Sequence, residues 1–127
     1  MDKVMTYRKI LQELLTEYAS YLSGSPLIEA NSASAGDTLG DDLFEVQTVF
    51  DTERDHYQLV HLGFHAGERQ YAVLVHFDIK NGKIWLQANN TDVLFVQDLL
   101  SRGVPKEDVV LGIHAPALRP YAAFAVA

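Results

Sequence analysis

Arg69-Gln-Tyr-Ala-Val-Leu-Val-His-Phe-Asp-Ile-Lys80, then Asn81-Gly82, then Lys83-Ile-Trp-Leu-Gln-Ala88 is the stretch that decides the fold. Asn-Gly between two apolar runs is the strongest short signal for a β-hairpin, because both turn residues must accept a positive φ. A two-residue loop fixes the register. Lys80 then faces Lys83, Ile79 faces Ile84, Asp78 faces Trp85, Phe77 faces Leu86 and His76 faces Gln87. Side chains alternate across a sheet, so Tyr71, Val73, Val75, Phe77, Ile79, Ile84, Leu86 and Ala88 are expected on the core face. His76, Asp78, Trp85 and Gln87 fall together on the other face.

Working backward, His56–His65 reads as a strand, separated from this hairpin by a break at Ala66-Gly67-Glu68. Leu43–Asp51 reads as another, with Phe44, Val46, Thr48 and Phe50 on one side and Glu45, Gln47 and Asp51 largely on the other. A polar turn, Asp51–Asp55, joins them. Residues 3–22 carry apolar side chains at spacings of three and four, from Val4 and Tyr7 to Tyr21 and Leu22, and predict an amphipathic helix stopped by Ser23-Gly24-Ser25-Pro26. Residues 23–42, rich in Gly, Ser, Ala and Asp, are expected to form a mobile loop or insertion.

Working forward, Asn89-Asn90-Thr91 predicts a helix N-terminus. The helix covers about 91–102, with Val93, Val96, Leu99 and Leu100 buried, Leu94 and Phe95 widening that stripe, and Arg102 and Gly103 closing it. Pro105 opens a short helical turn to Asp108. Val109–Ile113 is either a buried strand or the tail of that turn, and the apolar last seven residues dock on the core as a strand or short helix. The order predicts an α+β fold: a mainly antiparallel sheet of about four strands, packed with an N-terminal helix and a second helix at about 91–102.

The 127 residues fit one domain, 1–127, and 48% of them are apolar, enough for a core without a metal or disulfide staple. No cysteine is present, which excludes disulfides and thiolate chemistry. No apolar run approaches the roughly 18 residues of a membrane span, and the N-terminus has no signal-peptide core, so a cytoplasmic location is expected. Ten basic residues face 17 acidic ones, for a net charge of -7. Residues 1–64 hold 4 bases and 11 acids, whereas residues 65–127 hold 6 of each. Duplex DNA is bound by clustered Lys and Arg that neutralise phosphates. The chain has no such cluster, so any effect on DNA is expected to pass through another protein.

Catalytic motifs are missing: no Gly-x-Ser-x-Gly elbow, no phosphate-cradling glycine loop, no His-Glu-x-x-His helix. Asp51, Glu53 and Asp55 resemble a carboxylate cluster but lack the glycine and distant glutamate of a calcium loop, and read as a solvated turn. Five histidines invite a metal reading. His56, His61 and His65 share one strand, and His76 with Asp78 is an i, i+2 pair suited to zinc or nickel. Only pairs are visible, whereas a site needs three or four convergent ligands. No metal, no cofactor and no enzymatic activity are therefore expected, with a small metal-dependent hydrolase at His76 and Asp78 as the minor alternative. Trp85 is either an anchor for a partner or a core residue under one of the helices.

Several ordered runs carry a family pattern: Phe50-Asp-Thr-Glu-Arg-Asp-His-Tyr-Gln-Leu59, His76-Phe-Asp-Ile-Lys-Asn-Gly-Lys-Ile-Trp85, Gln87-Ala-Asn-Asn-Thr91, Gly103-Val-Pro-Lys-Glu-Asp-Val-Val-Leu-Gly-Ile-His114 and Phe124-Ala-Val-Ala127. With Tyr7-Arg8-Lys9-Ile10 in the opening helix, they resemble the XisI family over nearly the whole chain except 23–42. The chain departs from that family's pattern in a longer 23–42 segment, in Phe64 where a tryptophan is usual, and in an apolar 117–123. The resemblance implies a controlling factor for excision of the fdxN element, a DNA segment removed during heterocyst differentiation in cyanobacteria. It also implies partners: an XisH-like protein with a nuclease fold, and a recombinase, XisF. It supplies no catalytic residues. An acidic inhibitor or antitoxin-like partner of a nuclease is the alternative that the charge leaves open.

Overall fold

The computed structural model describes residues 2–121 apart from 24–42, together with 123–127; the expected loop at 23–42 lies, beyond Ser23, outside the described residues. The elements are α1 (Lys3–Ser23), β1 (Leu43–Asp51), β2 (His56–His65), β3 (Glu68–Lys80), β4 (Lys83–Asn89), α2 (Phe95–Ser101) and β5 (Val109–Leu111). Short 3-10 turns cover Lys106–Asp108 and Pro116–Tyr121. The five strands lie in chain order, β1-β2-β3-β4-β5, antiparallel except for the parallel pair β4 and β5. The α+β class holds. The fifth strand comes from Val109–Leu111, where the apolar run had left strand and turn open.

Each tight turn places residues in the left-handed backbone region, which Gly, Asn and Asp tolerate best and Ala66 adopts beside Gly67. Asn81 and Gly82 have φ 55° and 74°, Ala66 and Gly67 51° and 81°, and Asp55 61°. The Asn-Gly turn sets the expected pairs Lys80–Lys83, Ile79–Ile84, Asp78–Trp85 and Phe77–Leu86. Two bulges then alter the register. Across β2 and β3, Leu59 pairs with Val75 but Val60 with Val73, so Leu74 is an extra residue. Across β3 and β4, Phe77 pairs with Leu86 but His76 with Ala88, so Gln87 is extra.

An extra residue reverses the facing of everything beyond it. Tyr71 and Val73, expected in the core, therefore leave the core face, and Tyr71 is 67% exposed. Ala88 likewise joins the side of His76, its partner. Asn90 holds the first bulge: its backbone N–H donates to the Leu74 carbonyl at 2.7 Å and its carboxamide to the Val73 carbonyl at 2.9 Å.

One sheet face carries the core. Tyr57, Leu59, Val75, Phe77, Ile79, Ile84 and Leu86 are buried against Tyr7, Leu11, Leu14 and Leu15 of α1 and Phe95 and Leu99 of α2. Each such side chain contributes roughly 1.5–3 kcal/mol by leaving water. The second helix is shorter than expected. Asn89 accepts from the backbone N–H and the hydroxyl of Thr91 (3.0 and 2.7 Å) and donates to the Val93 carbonyl (2.9 Å). Those local bonds make 89–93 a turn rather than a cap. The helix then starts after Leu94, which is 72% exposed and not part of the buried stripe. Its end is as expected: Gly103 at φ 97° donates to Leu100 and Val104 to Leu99, the paired bonds of a left-handed C-terminal cap.

The polar turn is only partly solvated. Asp51 accepts the backbone N–H groups of Glu53 and Arg54, both at 3.0 Å. Asp55 instead turns under the sheet, where Arg8 of α1 grips both its oxygens (2.8 and 3.1 Å) and the Tyr57 hydroxyl donates at 2.9 Å. Asp108 similarly receives the Tyr7 hydroxyl and the Lys3 ammonium (3.2 Å), which ties α1 to the edge of β5.

Candidate functional site

On the sheet face opposite α1, the Leu74 bulge sets His56 directly across from Asp78, and Gln58 across from His76. Within each strand the two residues are two apart, so all four side chains form a block on one face. Gln87, the extra residue of the second bulge, reaches the same block from β4.

Asp78 is its centre. It is 9% exposed and its Oδ1 accepts from His56 Nδ1 and from His76 Nε2, each at 2.7 Å. Gln87 donates to Oδ2 at 3.1 Å. Gln58 Nε2 lies 3.0 Å from His76 Nδ1 and completes the chain of contacts. Burial pushes the Asp78 carboxyl pKa up, but the hydrogen bonds from His56, His76 and Gln87 outweigh it and hold the group below the usual carboxylate range. The two imidazole rings stand nearly perpendicular, 80°, with centroids 6.1 Å apart. One ring nitrogen of His56, one of His76 and an Asp78 oxygen all lie within 4.8 Å of one another. Such a set can hold a metal ion or bind a proton among three groups. Among the described residues, no nucleophilic side chain is hydrogen-bonded to it.

Three of the four residues singled out from the sequence, His76, Asp78 and Gln87, meet in this block, although Gln87 enters it from the bulge and not as the direct cross-strand partner of His76. Trp85 shares their face but is 8% exposed, with Lys80 Nζ 4.3 Å and Arg119 Cζ 5.1 Å from its ring centroid. Neither α1 nor α2 supplies these contacts; Lys80 comes from the end of β3 and Arg119 from the 3-10 turn Pro116–Tyr121. Trp85 Nε1 is buried without a hydrogen-bond partner among the described residues. Val110, its neighbour across β4 and β5, is fully buried and bridges Ala125 of the C-terminal segment. His61 is elsewhere, stacked on Phe44 at 4.6 Å on the core side.

His56 and Gln58 were missed as members. The register of β2 against β3 cannot be extrapolated from the Ala66-Gly67 turn. Without the Leu74 bulge His56 would face Phe77 and lie on the core side. Gly112 was missed as well: it has no side chain, and a Cβ there would overlap Gln87 Oε1.

These features define a small acidic α+β protein whose single sheet is covered by helices on one face and carries a histidine–carboxylate network on the other. The family model described as "XisI protein" matches residues 1–126. The chain belongs to the XisI family. Among solved structures it is similar to a XisI-like protein from Anabaena variabilis, at 41% identity and a TM-score of 0.78 over 98% of this chain and 99% of that one. It is also similar to the fdxN element excision controlling factor XisI from Anabaena variabilis, at 28% identity and a TM-score of 0.73 over 99% of this chain and 100% of that one. No match is found among curated proteins. No helix among the described residues is long and apolar enough to cross a membrane.

Proposed function

We propose that this chain is a non-catalytic controlling factor in excision of a DNA element, acting through contact with an XisH-like, nuclease-fold partner and, through it, a recombinase. The observation that carries the reading is charge, in a chain of this family. The excess of acids repels duplex DNA. Many of the cations are also engaged within the molecule. Arg8 pairs with Asp55, Lys3 with Asp108, Arg54 with Asp51 and Arg102 with Glu17, while Lys80, Arg119 and Arg69 lie over aromatic rings.

The partner contact is assigned to the sheet face opposite α1. Trp85 is already covered there, so it is a poor anchor. Beyond the network, alternation along the strands puts Val49, Phe64 and Tyr71 on the same face, and these are 46%, 40% and 67% exposed. Exposed aromatic groups of this kind dominate protein interfaces. Co-expression with an XisH-like protein tests the reading. The two should co-purify, and Tyr71→Ala with Phe64→Ala should lower recovery of the partner without lowering the unfolding midpoint. Excision or cleavage that rises on adding the chain supports a controlling factor, whereas suppression indicates an inhibitor. No co-purification with that partner would overturn the proposal.

A further inference from the structure

We infer that His56, His76 and Asp78 form a binding site for one divalent first-row transition-metal ion, with Zn2+ as the best-matched probe. Two imidazoles and one carboxylate are the donor set of imidazole-binding ions such as zinc, nickel and cobalt; magnesium and calcium call for oxygen ligands. Three protein ligands with an open position also describe the zinc sites that take a water or an outside ligand in fourth place. The open side here is that of His56, whose side chain is 50% exposed, against 25% for His76 and 12% for Asp78.

The distances suit exchange of two hydrogen bonds for one ion. Bonds of about 2.0–2.1 Å in tetrahedral geometry place neighbouring ligand atoms about 3.3 Å apart, so each imidazole retreats from Asp78 Oδ1 by only about 0.6 Å. Both nitrogens now sit 2.7 Å from that oxygen. Protons balance without a co-reactant. In neutral His56 the proton moves from Nδ1 to Nε2, which frees the Nδ1 lone pair. In His76 it moves from Nε2 to Nδ1.

Gln58 is suited to both states of His76. Its amide nitrogen faces Nδ1 now, and a half-turn of the carboxamide presents the oxygen to an Nδ1–H. Metal-bound histidines almost always donate their second N–H to such an acceptor, and ligating carboxylates are themselves held. Gln87 holds Asp78 Oδ2, in space that Gly112 leaves. The outer contacts that orient ligands are thus already built, and a cluster serving only to neutralise a buried carboxylate has no need of Gln58.

The test is calorimetric titration of the untagged full chain with ZnCl2, then CoCl2. One ion per chain is expected. His56→Ala, at the half-exposed ligand, should weaken binding at least about 100-fold, and Gln58→Leu about 10- to 100-fold. His65→Ala should change it less than threefold. Should His56→Ala fail to fold, the Co2+ form of the unaltered chain decides, through intense visible bands of a tetrahedral site and paramagnetic shifts of the His56 and His76 ring resonances. Substoichiometric binding, or binding that survives His56→Ala, or shifts confined to other histidines, would overturn the inference.

Discussion

Replacing Gly112 by alanine perturbs the polar network without substituting any member of it. A Cβ there would overlap Gln87 Oε1 and lie 3.1 Å from Gln87 Cδ and 3.2 Å from the Leu86 carbonyl oxygen. The strand backbone cannot move cheaply, because the Leu86 carbonyl also accepts the Ile113 N–H at 3.1 Å. The Gln87 carboxamide must therefore swing away, and its 3.1 Å bond to Asp78 is lost. A hydrogen bond to a charged group is worth about 1.5–3 kcal/mol. The low end is expected, since His56 and His76 still hold the other oxygen. At about 3–5 °C per kcal/mol for a chain of this length, Tm should fall by roughly 5–7 °C. Urea unfolding followed by the fluorescence of Trp85, the only tryptophan, gives the same quantity as a free energy. The control is a double-mutant cycle. In a Gln87→Ala background, Gly112→Ala should add less than about 0.5 kcal/mol, because the displaced group is gone. An undiminished cost there would place the strain against the Leu86 backbone and refute the role given to Gln87.

Other consequences follow from the same contacts. The two hydrogen bonds from Arg8 hold the Asp55 carboxyl below its ordinary value of 3.8, against the opposing effect of burial and with help from Tyr57. A depressed carboxyl contributes stability that is complete above 3.8 and disappears as pH falls through the lower folded value. The stability difference between the natural chain and Asp55→Asn should therefore be constant near neutrality and shrink in acid; a pH-independent difference in urea midpoints would contradict this. Trp85→Ala should cost about 3–5 kcal/mol by calorimetry, as for a buried ring, and a cost under about 1 kcal/mol would return Trp85 to the surface. Phe95, edge-on to Tyr18 and Phe77 at 5.4 and 6.0 Å, anchors α2. Phe95→Ala should cost about 3–5 kcal/mol and Leu94→Ala less than about 0.5 kcal/mol, and equal costs would mean that α2 starts earlier.

Much of this fold is legible in the sequence because its signals are local. The Asn81-Gly82 turn, the apolar stripe of α1 and the Gly103 stop each decide their own element. Where reading fails, a contact distant in sequence decides instead. The Leu74 bulge is held by Asn90, sixteen residues on, and it turns Tyr71 and Val73 away from the core while bringing His56 and Gln58 to His76 and Asp78. The same Asn90 looks like a helix cap in isolation, as do Asn89 and Thr91. Their side chains instead serve a bulge and a turn, which shortens α2. The imidazole–carboxylate pair His76 and Asp78 could be seen from spacing on one strand. Its third member could not, since pattern alone does not reveal where a strand carries an extra residue.

The reading of function depends on the chain reaching DNA only through another protein, and fluorescence anisotropy of a labelled duplex measures that directly. At about 50 mM salt, where phosphate contacts are strongest, the purified chain alone should produce no saturable change, and an XisH-like partner should restore one. Saturable binding of the bare duplex by this chain alone, weakening steeply as salt is raised, would contradict the account.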